Sequence, residues 1–209
     1  IRSFNRPIVE LCHHPLALEP GVDAAVAARL AASERAAMAL AAAVIVTGRH
    51  TAGIVARDFD VAPEKISVAL PGTEPAPRAR GSGGPTPRLL AVGSVIPRKA
   101  YDVLVTALSH LKHLPWTLEI AGALTHAPDT VIQVQNLIQE LQLENRIHLL
   151  GPLAPDELAA AYDRADLFVM SSLFEGYGMV IAEAMARGLP IVATTGGAAA
   201  DTLDDRAGL

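Results

Sequence analysis

Short apolar runs alternate with longer segments of helical period along nearly the whole chain. The strand-like runs are residues 7–12, Val44 to Thr47, Ile66 to Leu70, Arg88 to Val92, Trp116 to Ala121, Ile147 to Leu150, Asp166 to Met170 and Leu189 to Thr194. Between them lie helical patterns at about 22–42, 51–57, 101–113 and 129–143, a helix opened by Pro155-Asp156-Glu157, and a short one before Gly188. Alternation of strand and helix predicts βαβ units and parallel sheets, an α/β fold. Proline as the first helical residue costs nothing, because its missing N–H would have no partner there.

One stretch breaks the alternation. Residues 75–87 crowd proline, glycine and serine together without apolar period, which predicts a linker. It divides the chain into a domain over 1–76, a linker over 77–87 and a second domain over 88–209. A first strand so near residue 1 has few partners, so the first domain is expected to be incomplete. The second is expected to lack its tail. In the second domain three strands end on Gly93, Gly122 and Gly151. The carboxyl ends of strands are the ligand-facing edge of open α/β sheets.

Composition narrows the classes. The 209 residues are 51% hydrophobic and 19% charged, which is globular rather than disordered. A net charge of −5 with no basic run argues against nucleic acid as a partner. The single cysteine, Cys12, excludes an internal disulfide and suits a reducing, cytoplasmic setting. No apolar run has the length of a membrane span; peripheral contact with the inner membrane face stays compatible with the sequence.

The richest chemistry lies in Glu175-Gly176-Tyr177-Gly178-Met179 and the helix that follows. Two glycines permit a tight turn, and the helix opening there directs free N–H groups and a positive dipole end at the loop. That suits a phosphate. Glu183 stands among Met, Val, Ile and Ala, where a carboxylate is costly unless a group pairs with it or donates to it. It lies roughly 7–8 Å along the axis from Gly178. That offset fits a diphosphate at the helix tip and a ribose diol beside Glu183; the plainer alternative is a Glu reaching solvent. Arg98 and Lys99 follow strand 88–92 and suit a diphosphate, Arg bidentately and Lys as a point charge; a solvated basic pair is the alternative.

Other patterns are weaker. The G-x-G-x-x-G of nicotinamide-binding folds is absent after the first strand of either domain. Ser171 and Ser172 lack the surroundings of a hydrolase elbow. Asp58-Phe59-Asp60 reads as a surface turn rather than a metal site. The histidines show no metal-ligand spacing.

Glu175 and Glu183 form an E-x7-E motif. Together with Leu89 to Gly93, Pro97-Arg98-Lys99, Asp166 to Ser172 and Gly188 to Ala193, it resembles the family-4 retaining glycosyltransferases of the GT-B fold. Val46-Thr47, Lys65-Ile66 and Pro71-Gly72 are similar to the end of that family's acceptor domain. The resemblance implies two Rossmann-like domains facing a cleft, the second binding a nucleoside-diphosphate sugar and the first an acceptor hydroxyl on a glycan, lipid or small molecule. It implies that Glu183 holds the ribose and Glu175 contacts the donor sugar. Gly93, Arg98, Lys99 and the backbone of Gly176, Tyr177, Gly178 and Met179 would hold the diphosphate. His13, or His14 if the register slips, would reach the sugar. No metal or other cofactor is implied. Two departures stand out: Gly93-Ser94 replaces the usual Gly-Arg, and Lys99-Ala100 the usual Lys-Gly. A non-catalytic nucleotide-sugar-binding domain and a sugar-nucleotide epimerase of similar fold are the other readings.

Overall fold

The computed structural model describes residues 6–203 and divides into two compact units. Of the described residues, one comprises 6–72 with 174–178 and 196–202; the other comprises 73–173 with 179–195 and 203.

The first unit is built on a three-stranded parallel sheet in the order β1-β2-β3, with β1 Val9–Cys12, β2 Ala43–Val46 and β3 Ile66–Val68. Helix α1 (Ala24–Leu40) joins β1 to β2. It starts at Asp23, whose carboxylate accepts from the N–H groups of Ala25 and Val26 at 2.9 and 3.2 Å and so satisfies two otherwise unpaired donors. Helix α2 (Arg49–Asp58) joins β2 to β3. Val44 and Val46 of β2 pack with Met38 of α1 and with Ile54, Val55, Phe59 and Val61. The edge strand β1 leaves Val9 and Leu11 exposed and buries Cys12.

The second unit has a five-stranded all-parallel sheet in the order β6-β5-β4-β7-β8. Its strands are β4 Arg88–Val92, β5 Thr117–Ala121, β6 Ile147–Gly151, β7 Leu167–Met170 and β8 Ile191–Ala193. The helices are α3 Tyr101–Ser109, α4 Pro128–Glu140, α5 Pro155–Arg164 and α6 Met179–Ala186. Alternation along β4 sends Leu89 and Ala91 to the face covered by Val105, Leu108, Val131, Val134 and Ile138 of α3 and α4. Leu90, equally buried, faces the other way. A strand buried on both faces reads as a continuous apolar run, as Leu89 to Val92 does. A four-residue α7 (Ala199–Thr202) packs with the first unit.

Several boundaries are shorter than the periodicity predicts. Helix α3 stops at Ser109 rather than near His113. The Leu111 carbonyl instead accepts from the Trp116 indole at 2.8 Å, and the Arg146 guanidinium donates to the Lys112 and Leu114 carbonyls. Helix α4 stops at Glu140, and Gln142 is left-handed at φ 54°. The proline- and glycine-rich stretch is tied down along the second unit. Ala79 N donates to Arg187 O at 2.8 Å, Arg80 N and Gly81 N donate to Asp163 O, and the Arg80 guanidinium pairs with the Asp163 carboxylate. Asp166 accepts from Ser82 N at 2.9 Å and Arg88 N at 2.7 Å.

Candidate functional site

The order of the five-stranded sheet reverses at β4. From there the chain steps outward to β5 and β6, then crosses to β7 on the opposite side. Loops leaving the carboxyl ends of two such strands diverge, and ligands bind in the crevice between them. Here these loops are 93–100 after β4 and the segment from Ser171 after β7. They are stitched together by Leu173 N donating to Arg98 O at 2.9 Å and the Ser171 hydroxyl donating to Lys99 O at 2.8 Å. Arg98 and Lys99 occupy a single turn of 3-10 helix over Pro97–Lys99.

Close backbone approach explains the glycines at this edge. A Cβ on Gly122 would lie 2.0 Å from the Gly93 carbonyl oxygen, so no side chain fits at the end of β5. A Cβ on Gly93 would meet the Lys99 stem at 2.7 Å. Lys99 therefore lies across Gly93, only 9% exposed, and Tyr101 donates its hydroxyl to the Gly93 carbonyl at 3.0 Å. Ala100, at the position where glycine is usual, is held at φ 47°, ψ 47° between the Pro97–Lys99 turn and α3. A left-handed alanine costs about 1–2 kcal/mol.

Glu183 lies in the middle of α6, half-buried, with Oε2 accepting a hydrogen bond from the Tyr162 hydroxyl of α5 at 2.8 Å. That is the partner a carboxylate in an apolar helix requires. Burial pushes the Tyr162 phenol far above its ordinary pKa; the Glu183 charge and hydrogen bond add to this, and Arg187 opposes it. Tyr162 therefore remains a neutral donor. Nothing in the spacing of Tyr162 and Glu183 along the chain announces this pairing, and sequence reasoning misses it. Helix α6 ends as the sequence predicts at Gly188: Gly188 N and Leu189 N close onto the Met185 and Ala184 carbonyls. Met179 opens α6 and is exposed.

Residues 174–178 pack with the first unit, as do His13 and His14. Glu175 is 6% exposed. Its backbone bridges the chain at Gly197, with Glu175 N donating to Gly196 O and Ala198 N donating to Glu175 O. The Gly176 carbonyl accepts from the hydroxyls of Thr47 and Thr51, both at 3.3 Å. A Cβ on Gly176 would sit 2.5 Å from the His13 carbonyl oxygen, so glycine is required for this contact. The Tyr177 carbonyl accepts from the Thr202 hydroxyl. The two histidines differ: the His14 ring lies 4.4 Å from Phe174 with Nε2 3.4 Å from Glu19, whereas His13 is exposed. The structure thus gathers Gly93, Arg98 and Lys99 at one edge of the second unit and Glu183 in the same unit. It gathers His13, Glu175, Gly176, Tyr177 and Gly178 in the first.

Among the described residues, no group of three or more His, Cys, Asp or Glu side chains is placed to hold a metal. Asp58 is paired with Arg57 at 2.7 Å and Asp60 with Arg35 at 3.1 Å. No helix among the described residues is long and apolar enough to cross a membrane.

Two Rossmann-like parallel-sheet units, with glycines and cations at the carboxyl edge of the second, define an α/β protein of the GT-B class. The description "Glycosyl transferases group 1" matches residues 73–209, well over half of the chain. The protein belongs to that glycosyltransferase family. It is 36% identical over 168 residues to a D-inositol 3-phosphate glycosyltransferase of Kineococcus radiotolerans, covering 70% of this chain and 38% of that protein. It is 28% identical to an MMP alpha-(1->4)-mannosyltransferase of Mycolicibacterium hassiacum, covering 95% of this chain and 50% of that one. In fold it is similar to a sucrose-phosphate synthase from Thermosynechococcus elongatus, with a TM-score of 0.85 at 22% identity over all of this chain and 55% of that one. It is similar too to Anabaena HepE in complex with UDP and glucose, with a TM-score of 0.80 at 24% identity over 95% of this chain and 56% of that one. The chain spans half or less of the length of these two curated relatives.

Proposed function

We propose that this chain belongs to a retaining, family-4-type glycosyltransferase that moves a hexose from a nucleoside-diphosphate sugar to an acceptor hydroxyl without a metal. The observation that carries the reading is Glu183. A carboxylate five residues past Gly178 is held in an apolar helix by one hydrogen bond, in the unit whose carboxyl edge also presents Arg98 and Lys99. A diphosphate at the α6 N-terminus is stabilised by free N–H groups and the helix dipole. Glu183 then meets the ribose, and Glu175 and His13 contact the donor sugar. Gly93 keeps space for Lys99 beside the phosphates, and the backbone of Gly176, Tyr177, Gly178 and Met179 supplies N–H donors.

Negative charge grows on the diphosphate as its bond to the sugar carbon breaks. Arg98, Lys99 and the α6 N-terminus stabilise that charge in place of a metal. The acceptor oxygen bonds to the same carbon from the same face, and the departing phosphate oxygen takes the acceptor's proton, so configuration is kept. The name of the D-inositol 3-phosphate glycosyltransferase relative supports sugar transfer to a small phosphorylated acceptor, and a glycan or lipid acceptor at a membrane face is the other option. A full-length protein supplied with UDP-, GDP- and ADP-hexoses tests this. Transfer with retained anomeric configuration by NMR, unaffected by EDTA, is expected. Glu175→Ala and Glu183→Ala are each expected to lower transfer by about 10²-fold or more. A wild-type rate in either variant would overturn the role given to that residue. Binding without transfer would mark a non-catalytic domain, and sugar conversion without acceptor an epimerase.

A further inference from the structure

Tyr162 is 0% exposed, and two contacts fix its ring. It stacks on Phe168 of β7 with centroids 6.0 Å apart and planes at 22°, and the Arg187 guanidinium lies 4.4 Å from its centroid. Arg187 is itself tied to the Glu183 carbonyl at 3.1 Å. The ring has no room to swing, so its hydroxyl is a fixed donor aimed at Glu183 Oε2. A carboxylate has two oxygens and about four acceptor sites. Among the described residues, Oε1 of Glu183 accepts no hydrogen bond from the protein.

We propose that Tyr162 is a positioning residue for the donor: by tying down Oε2 it fixes the Glu183 carboxylate so that Oε1 is presented to the ribose hydroxyls of a nucleoside diphosphate. The inference rests on the reading of Glu183 as the ribose ligand. A long, unbranched carboxylate otherwise samples several rotamers, and a ligand that must select one binds more weakly. Discrimination against a ribose lacking a hydroxyl is therefore set by Tyr162 through Glu183, although the tyrosine touches no substrate. An unpaired acceptor left facing a deoxy-sugar is the source of that discrimination.

The test uses the full-length protein and calorimetric titration with UDP, GDP and ADP, then the 2′-deoxy form of the tightest binder. Wild type is expected to prefer the ribo form. Tyr162→Phe keeps the stacked ring. It is expected to weaken the ribo form by about three- to tenfold and the deoxy form by less than twofold, so the preference shrinks. In a Glu183→Ala background the preference is gone, and Tyr162→Phe has no further effect. An unchanged preference in Tyr162→Phe, or equal weakening of both nucleotides, overturns the positioning role while leaving Glu183 as ribose ligand. If Glu183→Ala keeps the preference, or no nucleotide binds to wild type, the ribose reading fails and this inference fails with it.

Discussion

The two sheets of this chain are made of the same kind of strand in different company. In the five-stranded sheet β4 is paired on both sides and covered on both faces, and Leu89, Leu90 and Ala91 are all buried. In the three-stranded sheet β2 occupies the same central place, but its neighbours β1 and β3 are edges. Their Val9, Leu11 and Val68 are exposed. An apolar residue therefore contributes according to where its strand sits in the sheet, not to its hydropathy. Backbone tolerance differs in the same way. The five-stranded sheet packs glycine against backbone at its ligand-facing edge, whereas Gly53 of α2 has nothing within 4 Å of where a Cβ would lie.

The largest expected contrast uses the same side chain twice. Leu118 of β5 is 0% exposed and Leu11 of β1 is 56% exposed. In this 209-residue chain Leu118→Ala should destabilise the second unit by about 3–5 kcal/mol, and Leu11→Ala should change stability by no more than about 0.5 kcal/mol. Denaturant titration of the two variants reads this directly; similar midpoint shifts would remove the contrast. The glycines come next. Gly122→Ala drives a methyl into the Gly93 carbonyl and should cost about 2–4 kcal/mol, while Gly53→Ala in the open interior of α2 should stabilise by about 0.5–1 kcal/mol.

Cys12 sharpens the comparison through pH. Burial pushes its thiol up to about 11, with the carboxylates of Glu10 and Glu34 adding to the effect. Below the ordinary thiol value of about 9 both folded and unfolded chains keep the proton, so the full contribution to stability is present. As pH rises from there to about 11, the unfolded chain releases the proton and the folded one retains it, so stability of the first unit falls. Thiol reagents should react slowly below pH 10, and unfolding midpoints should fall more steeply between pH 9 and 11 in wild type than in Cys12→Ala, where the buried Tyr162 phenol, also raised, still contributes. The smallest effect is expected at Ala100. Its left-handed backbone makes Ala100→Gly stabilising by about 0.5–1 kcal/mol, read as a small rise in Tm. A loss would mean that the methyl's packing outweighs its backbone strain.

Much of this was legible because the relevant signals are local. The span Arg88 to Val92 reads as a buried strand and is one, and Gly188 reads as a helix stop and is one. The E-x7-E stretch, with the strands flanking it, pointed to the glycosyltransferase family to which the chain belongs. Less legible were the ends of α3 and α4; past Ser109 the Leu111, Lys112 and Leu114 carbonyls accept from Trp116 and Arg146, partners that helical period does not reveal. The linker's attachment through Asp163 and Asp166 was also hidden, since these residues lie about 80 positions away. Sequence spacing left His13 and His14 equivalent. Tertiary packing separates them, putting one ring against Phe174 and leaving the other exposed.

The chain's own order of residues settled which segments become strands and helices, because side-chain period and glycine or proline punctuation act over a few residues. It also settled which glycines and cations fall at strand ends. Folding alone decided which hydroxyl meets Glu183, how Lys99 comes to lie over Gly93, and why Gly122 and Gly176 admit no side chain. The Tyr162–Glu183, Gly122–Gly93 and Gly176–His13 approaches join separate segments of the chain, and Lys99 reaches Gly93 through the way the loop after β4 folds back; no local pattern encodes a distance of that kind.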